Sequence, residues 1–360
     1  MTVRTDSFVP GPDELRRVFA GKSTTELVFF ARQCLERGGH DQVLALSEAF
    51  EATFAADATL ALTAAVARFV GGEREAAAVA VEELVRAHPA DLNALSVLAE
   101  MRARSGDRAA SVALFTRLIE LFPDYPGAQP TLAALLMPGP SYREVLRALH
   151  ARLAPRTYLE IGVASGATLS LATGAELAVG VDPVEAPLEH PLPARARLIR
   201  TTSAAFFAKH RCEDVFGPRA VELTFIDGLH LFEAALADFA GAEAWSNPSS
   251  TIVLHDCVPI APVTARRERA TRFWVGDTWK AAWALARYRP DLRIRTLLAP
   301  PSGLVVVRGL DPSSRVLERE RPRILGELMP LEYPCPVGSY PDELHVVPNT
   351  PEGLAEALGA

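Results

Sequence analysis

Between residues 157 and 308, seven short apolar runs alternate with stretches long enough to be helices. That alternation restricts the chain to a sheet built from strand–helix–strand units, because parallel neighbours can be joined only by a crossover. The runs are Thr157–Gly162, Ala178–Asp182, Arg197–Thr201, Glu222–Asp227, Thr251–Asp256, Leu292–Leu297 and Gly303–Arg308. Open sheets of this kind bind ligands at the carboxyl ends of their strands, so the residues closing each run are the candidates for chemistry. The first run and its turn read Tyr158-Leu159-Glu160-Ile161-Gly162-Val163-Ala164-Ser165-Gly166. The spacing is E-x-G-x-x-x-G, where a pyrophosphate-binding turn has G-x-G-x-x-G.

Gly162 and Gly166 let the backbone come close to a ligand. Glu160 would repel a pyrophosphate but can pair with the ammonium of a methionine moiety, which favours S-adenosylmethionine over NAD. The second run ends Val179-Gly180-Val181-Asp182, so 182 − 160 = 22 residues separate the two acids. An acid at this distance, on the tip of the next strand, can accept both ribose hydroxyls. Either acid alone reads equally well as a helix cap or a solvated turn residue; together on consecutive strand tips they point to a cofactor. The fourth run delivers Phe225-Ile226-Asp227-Gly228-Leu229-His230 and the fifth Ile252-Val253-Leu254-His255-Asp256.

These four motifs resemble those of class I S-adenosylmethionine-dependent methyltransferases, in a bacterial branch that includes sugar O-methyltransferases of antibiotic pathways. The resemblance spans about residues 141–310. It implies an α/β, Rossmann-like domain of seven strands, the last antiparallel and inserted beside the sixth. It also implies S-adenosylmethionine held by Glu160, Gly162, Ser165, Gly166, Asp182, Ser203 and Asp227, with Ser203 near the adenine. The reaction it implies is methyl transfer to oxygen of a small polar or glycan acceptor. In related oxygen methyltransferases, acids ending the fourth and fifth strands hold one magnesium ion. The matching positions are Asp227 and Asp256, with His255 where many relatives have a second acid. Magnesium prefers oxygen ligands, whereas imidazole suits zinc, iron or manganese. A magnesium or manganese ion is therefore one expectation and a metal-free site, with His255 touching the substrate or orienting a neighbour, the other. His230 lies where catechol-type relatives carry a lysine base, and a histidine with its ordinary pKa near 6.5 can take a proton near neutrality. It reads alternatively as a cap or packing residue at a helix start.

Residues 257–283 combine Arg266, Arg267, Arg269 and Arg272 with Trp274, Trp279, Lys280 and Trp283. In the resembled fold this stretch lies over the acceptor. Arg266, Arg269 and Lys280 are the expected contacts to an acidic or sugar-like acceptor, and Trp283 the expected anchor of a helix on the sheet.

Residues 23–137 are rich in Ala, Leu, Val, Glu and Arg at helical spacing. Gly72-Glu73-Arg74 returns as Gly106-Asp107-Arg108, His88-Pro89 as Phe122-Pro123 and Ala94 as Ala128, each after 34 residues. A weaker copy from Gly39-His40-Asp41 is one residue short of that period. Such a period resembles the tetratricopeptide repeat, whose helix pairs must stack to bury a core. The expected organisation is a helical repeat domain over 1–137, closed by a proline-crowded linker at 124–140, then a methyltransferase domain over 141–310 and an extension over 311–360. The repeats would bind a protein partner, self-associate, or simply pack.

Composition narrows the rest. With 49% hydrophobic and 22% charged residues the chain is globular. A net charge of −7 argues against nucleic acid as partner, and no apolar stretch approaches the roughly 20 residues that span a bilayer. Four scattered cysteines without a C-x-x-C pair suit a reduced compartment, and the start of the chain shows no apolar leader, so a cytoplasmic location is expected. A rival reading keeps the cofactor module inactive or regulatory and puts function in the repeats, and a third is hydroxylation on the same fold. The intact Glu160, Gly162, Gly166 and Asp182 weigh against the second.

Overall fold

A computed structural model describes residues 9–359; the start of the chain, read above as leaderless, lies largely outside the described residues. Contacts divide the chain into two compact units, Met1–Phe122 and Pro123–Ala360.

Among its described residues, the regular elements of the first unit are all helices. Its helices pair as Thr24–Glu36 with His40–Ala49, Ala58–Gly71 with Arg74–Ala87, and Leu92–Arg104 with Arg108–Leu121. First helices start at 24, 58 and 92 and second helices at 40, 74 and 108, a step of 34 residues every time. The earliest pair is thus in full register, and the one-residue deficit read from Gly39 is corrected. The turn glycines equivalent to Gly72 and Gly106 include Gly38, and all three have positive φ (79°, 108° and 83°), which only glycine adopts without strain. Gly39 instead takes the N-cap position held by Glu73 and Asp107 in the other pairs.

The second unit is an eight-stranded mixed sheet with helices on both faces. Its strands are β1 (Thr157–Ile161), β2 (Leu177–Val181), β3 (Ala196–Ile199), β4 (Leu223–Ile226), β5 (Thr251–His255), β6 (Arg293–Leu297), β7 (Leu304–Arg308) and β8 (Val346–Val347). The order is β3-β2-β1-β4-β5-β7-β6-β8, with β7 antiparallel to both of its neighbours and β8 parallel to β6. The expected count of seven is corrected by β8, which comes from the C-terminal extension. That extension is part of this unit: Leu354, Ala357 and Leu358 of the helix Pro351–Leu358 join the same core as Val306 and Leu297. The helix Ala128–Leu136, expected within the repeats and linker, also belongs here, with Leu136 against Gly338.

Side chains alternate along each strand, so the sheet has two cores. Ile252, Leu254, Val305 and Val307 face one core together with the helices Phe232–Ala244 and Trp279–Tyr288. Val253, Leu304 and Val306 face the other with Val145, Leu146 and Leu149 of the helix Tyr142–Leu153. β1 buries all five of its residues, as a central parallel strand must. Its polar residue Glu160 therefore has to be satisfied inside the protein.

No helix among the described residues is long and apolar enough to cross a membrane. Cys34, Cys212, Cys257 and Cys335 are free thiols.

Candidate active site

The central strands present their tips at one edge of the sheet. Gly162, just past β1, has φ +86°, and a Cβ built there would lie 1.9 Å from the carbonyl oxygen of Asp227. Glycine is thus required twice, for the left-handed backbone and for the close approach of the turn after β4. Gly166, at φ +84°, closes the bend against Leu188 and His190, and the carbonyl of Ser165 accepts from the amides of Glu189 and His190. Ala164 also has positive φ, 45°, which costs a residue with a Cβ about a kcal/mol or more and marks the bend as strained.

Asp182 clasps that bend from the tip of β2. Its Oδ2 accepts from the amides of Val163 and Ala164, both at 2.8 Å, and its Oδ1 from the amide of Val184 at 2.7 Å. A carboxylate offers about four lone-pair sites. Three are taken by these amides, which leaves Oδ1 with one further acceptor site.

Glu160 is also engaged within the protein. It is wholly buried, with Oε2 accepting from the Tyr158 hydroxyl at 2.6 Å and Oε1 from the Thr168 hydroxyl at 2.8 Å. It ties β1 to the turn beyond Gly166. Burial pushes its carboxyl up to about 8, against the pull of those two donors. The native state therefore holds this proton more tightly than the unfolded chain, whose glutamate titrates near 4.5. The stability from protonated Glu160 is complete below about pH 4.5 and is lost as pH rises towards about 8. Glu160→Gln is expected to flatten the decline in melting temperature between these limits; a variant whose slope matches wild type would show that this proton is not the cause.

At the tips of β4 and β5, two aspartates and two histidines interlock. His230 Nε2 lies 3.0 Å from Asp256 Oδ2 and 3.3 Å from Asp227 Oδ1. His255 Nδ1 lies 3.1 Å from Asp227 Oδ1, and its Nε2 is 3.2 Å from the hydroxyl of Ser302, which also donates to Asp256. The Tyr142 ring covers His255 with centroids 4.3 Å apart. Asp256 itself has φ 57°, a left-handed conformation that aspartate tolerates better than most residues. Burial opposes charge throughout, but each group's opposite neighbours outweigh it. Both carboxyls are held below their usual range, while His230 rises to about 10 and His255 well above its ordinary value.

His230 is paired with both carboxylates through Nε2 and with the Trp274 carbonyl through Nδ1 in this arrangement. His255, 6% exposed, has both nitrogens engaged, by Asp227 and by the Ser302 hydroxyl.

The segment after β5 folds over this cluster. Trp274 stacks on His230 at 5.5 Å, and its carbonyl oxygen lies 2.9 Å from His230 Nδ1. Gly276, at φ +62°, passes so close that a Cβ would sit 1.8 Å from the His230 carbonyl oxygen. Asp277 Oδ1 then accepts from the amide of Phe232, welding this segment to the turn after β4. The ammonium of Lys280 is buried, 3.2 Å from Asp277 Oδ2 and 2.9 Å from the carbonyl of Met329. Arg267 likewise pairs with Glu233 and Asp277. Arg266 and Arg269 are exposed; Arg269 donates to the carbonyls of Thr271 and Arg272, and the Arg266 carbonyl takes the Trp274 indole N–H. Trp283 packs against the core, as an anchor would. Ser203 opens the helix Ser203–Lys209 beside Asp238, whose carboxyl burial pushes up to about 6 against the Ser203 hydroxyl.

Thr168 and Ser302 join the site without being named by any sequence motif, and Tyr158, Trp274 and Asp277, though present in the motifs, had no role assigned there. Tyr158 was findable, since residues two apart on a strand share a face. Thr168 also carried a signal, two residues past the closing glycine. Ser302 and the Trp274 carbonyl carried none. Val184 and Leu229, at 56% and 62% exposure, leave apolar surface at the tips of β2 and β4.

Residues 159–257 match the model of a family described as a methyltransferase domain. This stretch is similar to methyltransferase domains. No curated protein matches the chain. Among solved structures, an O-methyltransferase from Bacillus cereus in complex with SAH shares 16% identity at a TM-score of 0.37, covering 54% of this chain and 96% of that one. The O-methyltransferase TomG from Streptomyces achromogenes, involved in tomaymycin synthesis and solved with SAM, shares 15% identity at a TM-score of 0.38, covering 57% and 90%.

Proposed function

We propose that the second unit binds S-adenosylmethionine at the tips of β1 and β2 and transfers its methyl group to an oxygen of a small polar or glycan acceptor held over β4 and β5. The observation that carries this reading is the bend Gly162–Gly166 clasped by Asp182 within a stretch similar to methyltransferase domains. The free site on Asp182 Oδ1 suits one ribose hydroxyl, and Ser203 the adenine edge. Val184 and Leu229 suit the faces of a purine. Glu160 and Thr168 act by holding the bend, not by touching the ligand.

A sulfonium methyl is already activated, so the protein's work is to align acceptor and methyl and to ease departure of the acceptor's proton. Asp227 and Asp256, with His230 between them, have ligand atoms within 4.8 Å of one another, close to the spread a single ion allows. The residues therefore fit a divalent cation. Such an ion would lower the pKa of a bound acceptor hydroxyl, so that no strong base is needed. Asp227 and Asp256 hold the charge, His255 and Ser302 fix the carboxylates, and Trp274 walls the cleft. Arg266, and Arg269 with the donors its carbonyl contacts leave over, give an anionic or sugar-like acceptor its edge.

In the first unit the helix pairs at a step of 34 residues support the tetratricopeptide-like reading. Phe29, 68% exposed, and Val70, 56% exposed, support a surface for a protein partner or a second copy.

The test is production of S-adenosylhomocysteine by the full chain with labelled S-adenosylmethionine and a panel of sugars, diols and hydroxy acids, with and without divalent cations. Turnover with one of them is expected. Cofactor binding by calorimetry without turnover on any acceptor would favour the regulatory reading, and no binding at all would remove the cofactor assignment.

A further inference from the structure

We infer that His230 is a nitrogen ligand, so that the Asp227–His230–Asp256 cluster selects a divalent transition ion such as manganese, cobalt or iron over magnesium. The inference rests on the divalent-cation reading above and goes further in naming the third ligand and the class of ion.

The geometry comes from four segments. A backbone carbonyl can only accept, so the contact at 2.9 Å between the Trp274 carbonyl and His230 Nδ1 places a hydrogen on Nδ1. The ring is thereby oriented with Nε2 towards Asp256 Oδ2 and Asp227 Oδ1. A histidine that donates one N–H to a carbonyl while its other nitrogen faces two carboxylates has the support that metal-binding imidazoles ordinarily have. Gly276 makes this possible, because any Cβ there would push the Trp274 segment off His230. His255 differs. Its two nitrogens are spent on Asp227 and Ser302, which leaves it to orient the carboxylates.

A second, independent observation points to an occupant. The cleft behind Asp227 and His230 is also lined by Asp238 and Thr278, both at least nine-tenths buried. Asp238 Oδ2 and Thr278 Oγ1 have no hydrogen-bonding partner among the described residues. Buried polar atoms in that state are rare because they lose their hydration without replacement. Water carried by an ion would supply it.

Two carboxylates alone would suit magnesium, which strongly prefers oxygen and retains its water. An imidazole among three protein ligands shifts preference towards ions that accept nitrogen. The full chain, freed of metal by chelation and dialysis, is titrated with manganese, cobalt or magnesium chloride by calorimetry, and with cobalt by visible absorption. Manganese and cobalt are expected to bind on the order of 100-fold more tightly than magnesium, cobalt with d–d bands that report nitrogen ligation. His230→Asp is expected to bring the three ions within about tenfold of one another, and His230→Ala to weaken cobalt by about 100-fold. Thermal melts check that both variants fold, and the wild-type comparison needs no variant. Magnesium binding as tightly as cobalt in the wild type, or cobalt bands unchanged in His230→Ala, would overturn the inference while leaving a cation site in place. If none of the three ions binds, the cation reading itself fails.

Discussion

Gly162→Ala is expected to cost the second unit more than about 3 kcal/mol and to abolish cofactor binding. The first part of that cost is conformational. Forcing a Cβ into the left-handed region at φ +86° costs about 1–2 kcal/mol. The larger part is steric: the new Cβ would fall 1.9 Å from the Asp227 carbonyl oxygen, with the Cα of Gly228 only 2.9 Å away. Both obstacles are backbone and cannot rotate aside. β1 and the turn after β4 must separate, which pulls Asp227 from His230 and His255 and opens the bend that Asp182 clasps. For a unit of this size the penalty corresponds to a fall in melting temperature of roughly 6–12 °C. Calorimetric melting and titration with S-adenosylhomocysteine read both effects. A variant that melts with wild type and binds normally would mean the two turns do not meet as described.

Asp182→Ala is expected to weaken S-adenosylhomocysteine by at least about 100-fold, because it removes the acceptor of three amides at once. Val163, Ala164 and Val184 would each lose a charge-assisted bond worth about 1.5–3 kcal/mol, part of which water at the rim restores. Asp182→Asn separates support of the bend from contact with the ligand. Its amide oxygen can still receive the Val163 and Ala164 amides, but its NH2 group then faces the Val184 amide, donor against donor. An intermediate loss is expected. Equal affinity in all three proteins would mean that the bend keeps its shape without the clasp, and the cofactor assignment would lose its main support.

How much of this was legible follows from distance along the chain. The seven strands expected from the apolar runs occur within two residues of their observed limits, since burial of a run and its flanking turns are local properties. The 34-residue step was visible in Gly72 and Gly106, but the first pair was misaligned because Gly38 and Gly39 stand side by side and only the backbone conformation shows which is the turn. β8 was invisible: two residues of a proline-rich tail form a strand only because the edge of β6 lies ready to pair with them.

The positions of the candidate site residues were local too, since Glu160, Gly162, Asp182, Asp227 and Asp256 each close or follow a strand. Their working state was not. Whether a carboxylate meets a ligand depends on what else has bonded to it, and Tyr158, Thr168 and the amides of the bend had first claim on Glu160 and Asp182. A lysine beside tryptophans reads as a substrate contact until Asp277 and Met329 enclose it. His230 reads as a base until Asp227, Asp256 and the Trp274 carbonyl surround it. Sequence by itself therefore determined which strand tips carry polar groups, because strand periodicity and glycine turns act over a few residues. Only the tertiary structure decided the charge, tautomer and openness of those groups, because these are set by neighbours tens of residues away that folding brings within hydrogen-bonding reach.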